Sequence, residues 1–311
     1  MSTSATDTLL DNLKGVSKGK EKCKVKTTGT LEKLLDAHQT YGFDTWLLYT
    51  ENRRKDIAKE TKKLNQYFEK KEIVYSEQDI VDLVYYANVQ DYTKDESRKM
   101  GAYVGSLITC LTKKNENLDK KTVIEIPENH LDYLGLGCEK FDVIKIEVNH
   151  GNGVFKSARE GNLLYVDLCE GESFAQWAGN HEGKVDHIIA NTVNGNRFAW
   201  YAGRTEGKVD HIIANTVKGD KFALKAGSRK GKVDCIIANE VNGDNFAEEA
   251  GVEEGKVDYI IANQVNGKEF AKWAKGKVLK NSQQATEIYN QKMAEVKEVL
   301  EEYSIDWSDE L

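Results

Sequence analysis

The chain has 311 residues, 40% hydrophobic and 31% charged, with a formal net charge of -7 at pH 7. This is an ordinary composition for a soluble protein, long enough for about two domains and a sizeable core. A lone proline, Pro127, excludes Pro-rich linkers, and no apolar run approaches the ~20 residues of a membrane span.

The first residues contain no basic segment followed by an apolar core, so no secretory signal is expected. Cys23, Cys110, Cys138, Cys169 and Cys235 are scattered, with no C-x-x-C pair, which reads as reduced thiols in a cytoplasmic protein. The two ends are opposite in sign. Residues 14–26 carry six lysines against Glu21, and residues 295–311 carry seven acidic groups against Lys297. Such runs are either solvated tails or segments drawn to each other or to different partners.

Residues 1–120 read as a helical domain with a basic surface. Periodicity does not decide between strand and buried helix for "FDTWLLYT" at 43–50. In "NRRKDIAKETKKLNQYFEKKE", Ile57, Leu64 and Phe68 form a narrow apolar stripe on a Lys/Arg-rich helix. Its Arg53, Arg54, Lys55, Lys59, Lys62 and Lys63 are the candidates for nucleic-acid binding, which would weaken steeply with salt. Ser76 and Asp79 approximate a capping box ahead of Ile80, Leu83, Val84 and Ala87. A further helix is predicted to carry Met100, Val104, Leu107, Ile108 and Leu111 on one face.

From residue 121 the period changes. "KTVIEI", "FDVIKIEV" and "NLLYVDL" alternate as strands do, and four near-identical copies follow from Gly183, Gly207, Gly231 and Gly255, with a stub at Gly276. Repeats of this length signal a solenoid or propeller. The reading is an α+β chain: a parallel β-solenoid over 121–280, about eight turns of about 24 residues, then a C-terminal capping helix and acidic tail over 281–311. That helix is expected to place Ile288, Met293, Val296 and Leu300 on its apolar side and to cover the open end of the solenoid.

Within one copy, "KVDHIIAN" is predicted as strand, "VNG" as turn and "NRFAWYAG" as one helical turn ending on Gly203. Alternation in the degenerate turns aligns Leu164 with Ile188 and Val166 with Ala190, so the inner columns are Ile188, Ile212, Ile236, Ile260 and Ala190, Ala214, Ala238, Ala262. Phe174, Phe198, Phe222, Phe246 and Phe270 form a ladder, each worth roughly 1.5–3 kcal/mol when fully buried. Asn191, Asn215, Asn239 and Asn263 are expected to bond to their copies one turn away. Asp186, Asp210, Asp234 and Asp258 are expected to be balanced by Lys184, Lys208, Lys232 and Lys256. A calcium column lacks the required glycine-rich nonapeptide.

Ile189, Ile213, Ile237 and Ile261 then point outward. Either a helix of the chain covers them, or they form a partner or dimer face. The position that varies among copies holds His187, His211, Cys235 and Tyr259 and also reads as outward. Zinc is a weak reading there, because Tyr259 is a poor fourth ligand. The pairs after Phe-Ala vary too and bring Trp177, Trp200, Tyr201 and Trp273, which suit protein hot spots or sugar rings, or else packing against the helices.

In the spaced turn glycines Gly195, Gly203 and Gly207 around a short x-I-I-x strand, residues 121–280 resemble the glycine-repeat right-handed β-helix family. That is the fold of the C-terminal domain of glutamate synthase and of one of the polypeptides of formylmethanofuran dehydrogenase. This chain departs from the pattern with Phe198-Ala199 and Asn191 where glycine is favoured. In the family the β-helix supports neighbouring active sites, so the resemblance implies a shape and lends no catalytic residue.

G-x-S-x-G, H-E-x-x-H, Walker and dinucleotide-binding patterns are missing. "GLGCEK" at 135–140 is too short to bind a nucleotide, and "NHGNG" at 149–153 reads as a turn with a structural His150. No catalytic, cofactor or metal residue is assigned. The expected function is a non-enzymatic scaffold for a protein partner or self-association. Nucleic-acid binding by the basic helices and carbohydrate binding by the solenoid aromatics are the alternatives.

Overall fold

The computed structural model describes residues 29–40 and 53–305. The basic run at 14–26, Cys23, the segment 43–50, the side chains of Arg53, Arg54 and Lys55, and the acidic residues beyond 305 lie outside the described residues. Among the described residues four helices come first: α1 (Gly29–Thr40), α2 (Arg53–Lys71), α3 (Glu77–Asn88) and α4 (Lys94–Glu116). Ser76 and Asp79 close a capping box on α3, and Thr93 and Glu96 close a second on α4. The apolar stripes predicted for α2, α3 and α4 are all buried.

Eight strands follow: β1 (Val123–Asn129), β2 (Lys140–Asn149), β3 (Glu160–Cys169), β4 (Lys184–Val193), β5 (Lys208–Val217), β6 (Lys232–Val241), β7 (Lys256–Val265) and β8 (Lys277–Lys280). They form one parallel sheet in chain order, the signature of a β-solenoid. The register pairs Leu164 with Ile188 and Val166 with Ala190, so the inner columns are those the alternation implies. The Phe rings stack with centroids 5.0–5.3 Å apart and nearly parallel planes. Isolated aromatic pairs prefer an offset or edge-on geometry. Identical residues held in register at strand spacing keep their rings parallel, which excludes the edge-on arrangement and is compatible with offset stacking.

The turns are not of one length. Val123 pairs with Val143 and Val143 with Leu163, steps of 20 residues, whereas Leu163 pairs with His187 and the steps are 24 as far as β7, before a step of 18 from Tyr259 to Lys277 in the short β8. The difference is a four-residue corner. Gly179 is followed by Asn180–Gly183 before β4, whereas Arg159, at the equivalent place, leads directly into β3. In each corner an amide closes back on a carbonyl (Gly183 on Asn180, Gly255 on Val252), and the two central residues have positive φ, as a type I′ turn requires.

The expected helical turn over Asn196–Gly203 does not form. Arg197, Ala199, Tyr201 and Gly203 have φ of 63°, 51°, 60° and 63°, and the residues between them do not. The segment is a series of tandem turns: Trp200 N–H donates to Arg197 O and Ala202 N–H to Ala199 O. Alternation sends the amides of every second residue in opposite directions along the stack. Arg197 N–H bonds to Asp220 O and Tyr201 N–H to Leu224 O on one side, while Ala199 N–H bonds to Phe174 O and Gly203 N–H to Ala178 O on the other. The far wall is therefore a second inter-turn ladder, built from left-handed backbone. At Gly203 both constraints meet, because a Cβ there would lie 2.8 Å from Lys232 O.

Helices finish what the stack leaves open. α4 crosses the first turn, where Gly101 and Gly105 permit close approach: a Cβ on Gly101 would meet Tyr133 O at 2.1 Å. Thr109 Oγ1 on α4 accepts from the Glu139 and Lys140 amides, and Asn88 at the end of α3 accepts from the His130 and Leu131 amides. One apolar core runs from α1–α4 into the solenoid interior. The C-terminal helix α5 (Gln283–Glu302) follows β8, but it lies along the outer face of the sheet and does not cover the end. Ala285, Tyr289, Met293, Val296 and Leu300 are buried, while the expected Ile288 is only partly so. The reason is area: eight strands expose two apolar outer columns, whereas the end exposes a single turn. Trp273 and Val278 remain exposed on that last turn.

The corner geometry makes a stability prediction. Exposed Glu254 sits at φ 68° in the second central position of its I′ corner. Left-handed backbone costs an L-residue roughly 1–2 kcal/mol, and glycine's extra unfolded-state entropy costs roughly 0.5–1 kcal/mol. Glu254→Gly should therefore raise stability to urea by about 0.5–1 kcal/mol, and Glu254→Val should lower it. Equal midpoints for the two variants would contradict the corner.

Candidate functional site

The outer sheet face holds two columns of side chains. Ile189, Ile213, Ile237 and Ile261 are completely buried beneath α5, so the chain itself covers the isoleucine ladder. The variable column lies beside them: Val143, Leu163, His187, His211, Cys235 and Tyr259 are successive register partners. It faces outward from the sheet, as expected, yet α5 covers it too. Cys235 is 3% exposed, and Tyr259 packs against the same cluster. His187 and His211 stack with centroids 5.1 Å apart and their Nδ1 atoms at 3.2 Å, so one ring donates and the other accepts. Burial, and then the neighbouring His211, lowers the His187 pKa to about 4, while burial pushes the Cys235 thiol up to about 12. A protonated, covered thiol is a poor nucleophile, and the column packs between the sheet and α5.

The polar columns behave as stacking predicts. Asn215, Asn239 and Asn263 each donate an amide N–H to the asparagine one turn before, at 3.1–3.2 Å, and Asn191 donates to Asp167. Lys184, Lys208, Lys232 and Lys256 pair with the aspartate two residues on, at 2.5–2.7 Å.

The left-handed wall carries the aromatic residues. Trp200 stacks on Tyr201 at 4.7 Å, and Tyr201 lies 6.3 Å from Trp177 one turn away. Cations ring the group: Lys156 sits 4.8 Å from the Trp177 ring, Arg204 4.4 Å from Tyr201, and Arg197 5.6 Å from Trp200. All three aromatics are half-buried, and the indole N–H groups of Trp177 and Trp200 have no hydrogen-bond partner among the described residues. Trp273 does not join them. Lys225 and Glu249, which form an ion pair at 3.3 Å, occupy the intervening places in its column.

The basic helix contributes exposed Lys59, Lys62 and Lys63, with Lys63 paired to Glu60 at 2.6 Å. Lys62 lines a cavity of about 840 Å³ beside α2, shared with Lys113, Lys114, Glu69, Glu72 and Glu139. Its lining mixes both signs of charge.

A further cluster has no counterpart in the sequence reading. Glu128, His130 and His150 bring three ligand-type atoms within 4.8 Å of one another on the first turns. The signal is the spacing: His130 and His150 are separated by the 20-residue step of those turns, which a 24-residue period conceals. Comparison with protein-family models, curated proteins and solved structures found no match to this chain.

The buried histidine pair predicts a pH response. The folded pKa of His187 lies near 4, below its ordinary 6.5, so between these values the unfolded chain binds the extra proton. Its stabilising contribution is present above about pH 6.5 and is lost as pH falls towards 4. Urea midpoints of wild type should fall across that window, and His187→Phe should flatten the decline. An unchanged slope would contradict this.

Proposed function

We propose that the protein is a non-enzymatic scaffold that binds a protein partner through the aromatic–cationic patch of Trp177, Trp200, Tyr201, Lys156, Arg197 and Arg204. The observation carrying this reading is the half-buried cluster of Trp177, Trp200 and Tyr201 flanked by three cations on the outer side of the wall. Trp, Tyr and Arg dominate binding hot spots because they bury large area and keep a polar handle. An acidic segment, with carboxylates for Lys156, Arg197 and Arg204, complements the patch. Covering of the isoleucine columns by α5 supports the choice of this wall. The likeness to glycine-repeat β-helices, where the solenoid is a support, agrees with a scaffold role. A cytoplasmic setting agrees with the thiols of Cys110, Cys138, Cys169 and Cys235, which are not in disulfides.

Carbohydrate binding is the second reading, favoured by the adjacent Trp177 and Tyr201 rings one turn apart. Salt separates the two, since an acidic partner is released by it and a neutral sugar is not. Nucleic-acid binding by Lys59, Lys62 and Lys63 is a third, independent of the patch.

The test is capture of binding proteins by the full chain and its variants, with far-ultraviolet circular dichroism to verify folding. Trp200→Ala and Arg204→Glu should each weaken the captured interaction by about 30-fold or more, as for a hot-spot residue. Trp273→Ala should leave it unchanged. Capture unaffected by either patch variant would overturn the proposal, and a glycan-array signal lost in Trp200→Ala would replace it with the second reading.

A further inference from the structure

The cluster on the first two turns has the chemistry of a metal centre. His150 N–H bonds to Asn129 O and Glu170 N–H to Asn149 O, so residues 130, 150 and 170 occupy one column in successive turns. Glu128 lies two residues before His130 on β1 and reaches the same point. Its Oε1 is 3.0 Å from His130 Nε2 and 3.4 Å from His150 Nε2. Ligands about 2.0 Å from a tetrahedral ion stand roughly 3.3 Å apart, so both separations already match.

Two supports fix the arrangement. Glu170 Oε2 is 2.6 Å from His150 Nδ1, which places the proton on Nδ1 and leaves the Nε2 lone pair facing Glu128. A carboxylate behind a ligating histidine is the usual support of such a ligand. Asn88, at the end of α3, accepts from His130 N–H at 3.0 Å and donates to Glu128 O at 2.8 Å, holding the backbone on either side of the site. The rings of His130 and His150 are stacked, 4.5 Å apart and 11° from parallel. Binding one ion through both Nε2 atoms requires the two rings to turn from parallel so that their lone pairs converge, a side-chain rotation that the exposed His130 is free to make. Glu128 and His130 are exposed and His150 half-buried, so an ion has access from solvent.

We propose that His130 Nε2, His150 Nε2 and a Glu128 carboxylate oxygen bind one divalent ion of the zinc class, with Glu170 as the positioning residue for His150. Imidazole with carboxylate suits zinc, cobalt, nickel or copper over calcium or magnesium. Three protein ligands leave a position for water or for a partner's side chain.

The full chain, stripped with a chelator, is titrated with Zn²⁺ against a chromophoric competitor and with Co²⁺ followed by visible absorption. The expected result is one ion per chain, with tetrahedral cobalt bands. Glu170→Gln should weaken binding by about 10–100-fold, and His130→Ala or His150→Ala should abolish it. The double variant His187→Ala/His211→Ala should bind as wild type, which separates this site from the other histidine pair. If the histidine variants prove misfolded by circular dichroism, Glu128→Gln provides the same test at an exposed position. The proposal is overturned if no ion binds stoichiometrically, or if binding survives in His130→Ala/His150→Ala or in Glu128→Gln.

Discussion

A solenoid turn has two walls, and every buried amide on both must find a partner, in its own turn or in the turn above or below. The sheet meets this demand in the usual parallel manner. The opposite wall meets it by alternating left-handed and right-handed φ, so that the N–H groups of its left-handed residues point alternately up and down the stack while those between them bond within their own turn. Everything else in the molecule rests on that second ladder. It fixes the register of the Phe rings, brings the inward alanines Ala199 and Ala202 against the core, and turns Trp200 and Tyr201 outward. Left-handed backbone at Arg197, Ala199 and Tyr201 is locally unfavourable. It persists because each such residue is held by hydrogen bonds from neighbouring turns and by the buried ladder beside it.

Stacking leaves two things unfinished, the apolar outer face of the sheet and the ends. α5 completes the face by packing over both outer columns, burying the isoleucines fully and the variable column in part. α4 completes the first end, where Gly101, Gly105 and the Thr109 hydroxyl fit it to the exposed backbone. The last turn keeps Trp273 and Val278 exposed. The two proposed sites lie at places the fold does not need: the aromatic wall of the regular turns and the histidine column of the shorter first turns.

The inner columns, the asparagine ladder and the lysine–aspartate pairs are legible in the chain because each follows from strand alternation plus repetition. The left-handed wall is not. Its positive-φ positions hold Arg197, Tyr201, Lys225 and Glu249, none of which signals that backbone, and the conformation arises only from contact with neighbouring turns. The place of α5 is hidden for a related reason: its amphipathic pattern says that one face is covered but not by what. Residues 187, 211, 235 and 259 vary among copies because they meet different parts of α5. Variability there marks an interface within the chain. The His130–His150 pair is hidden by its own period, since the shorter turns omit the I′ corner.

Amide hydrogen exchange tests the second ladder most directly. The account predicts that the amides of Ala199, Tyr201, Ala223 and Lys225, which bond across turns, are protected as strongly as those of Ile212 and Ile213 in β5. Exchange of those amides at the rate of exposed loops, with the strand amides still protected, would contradict it.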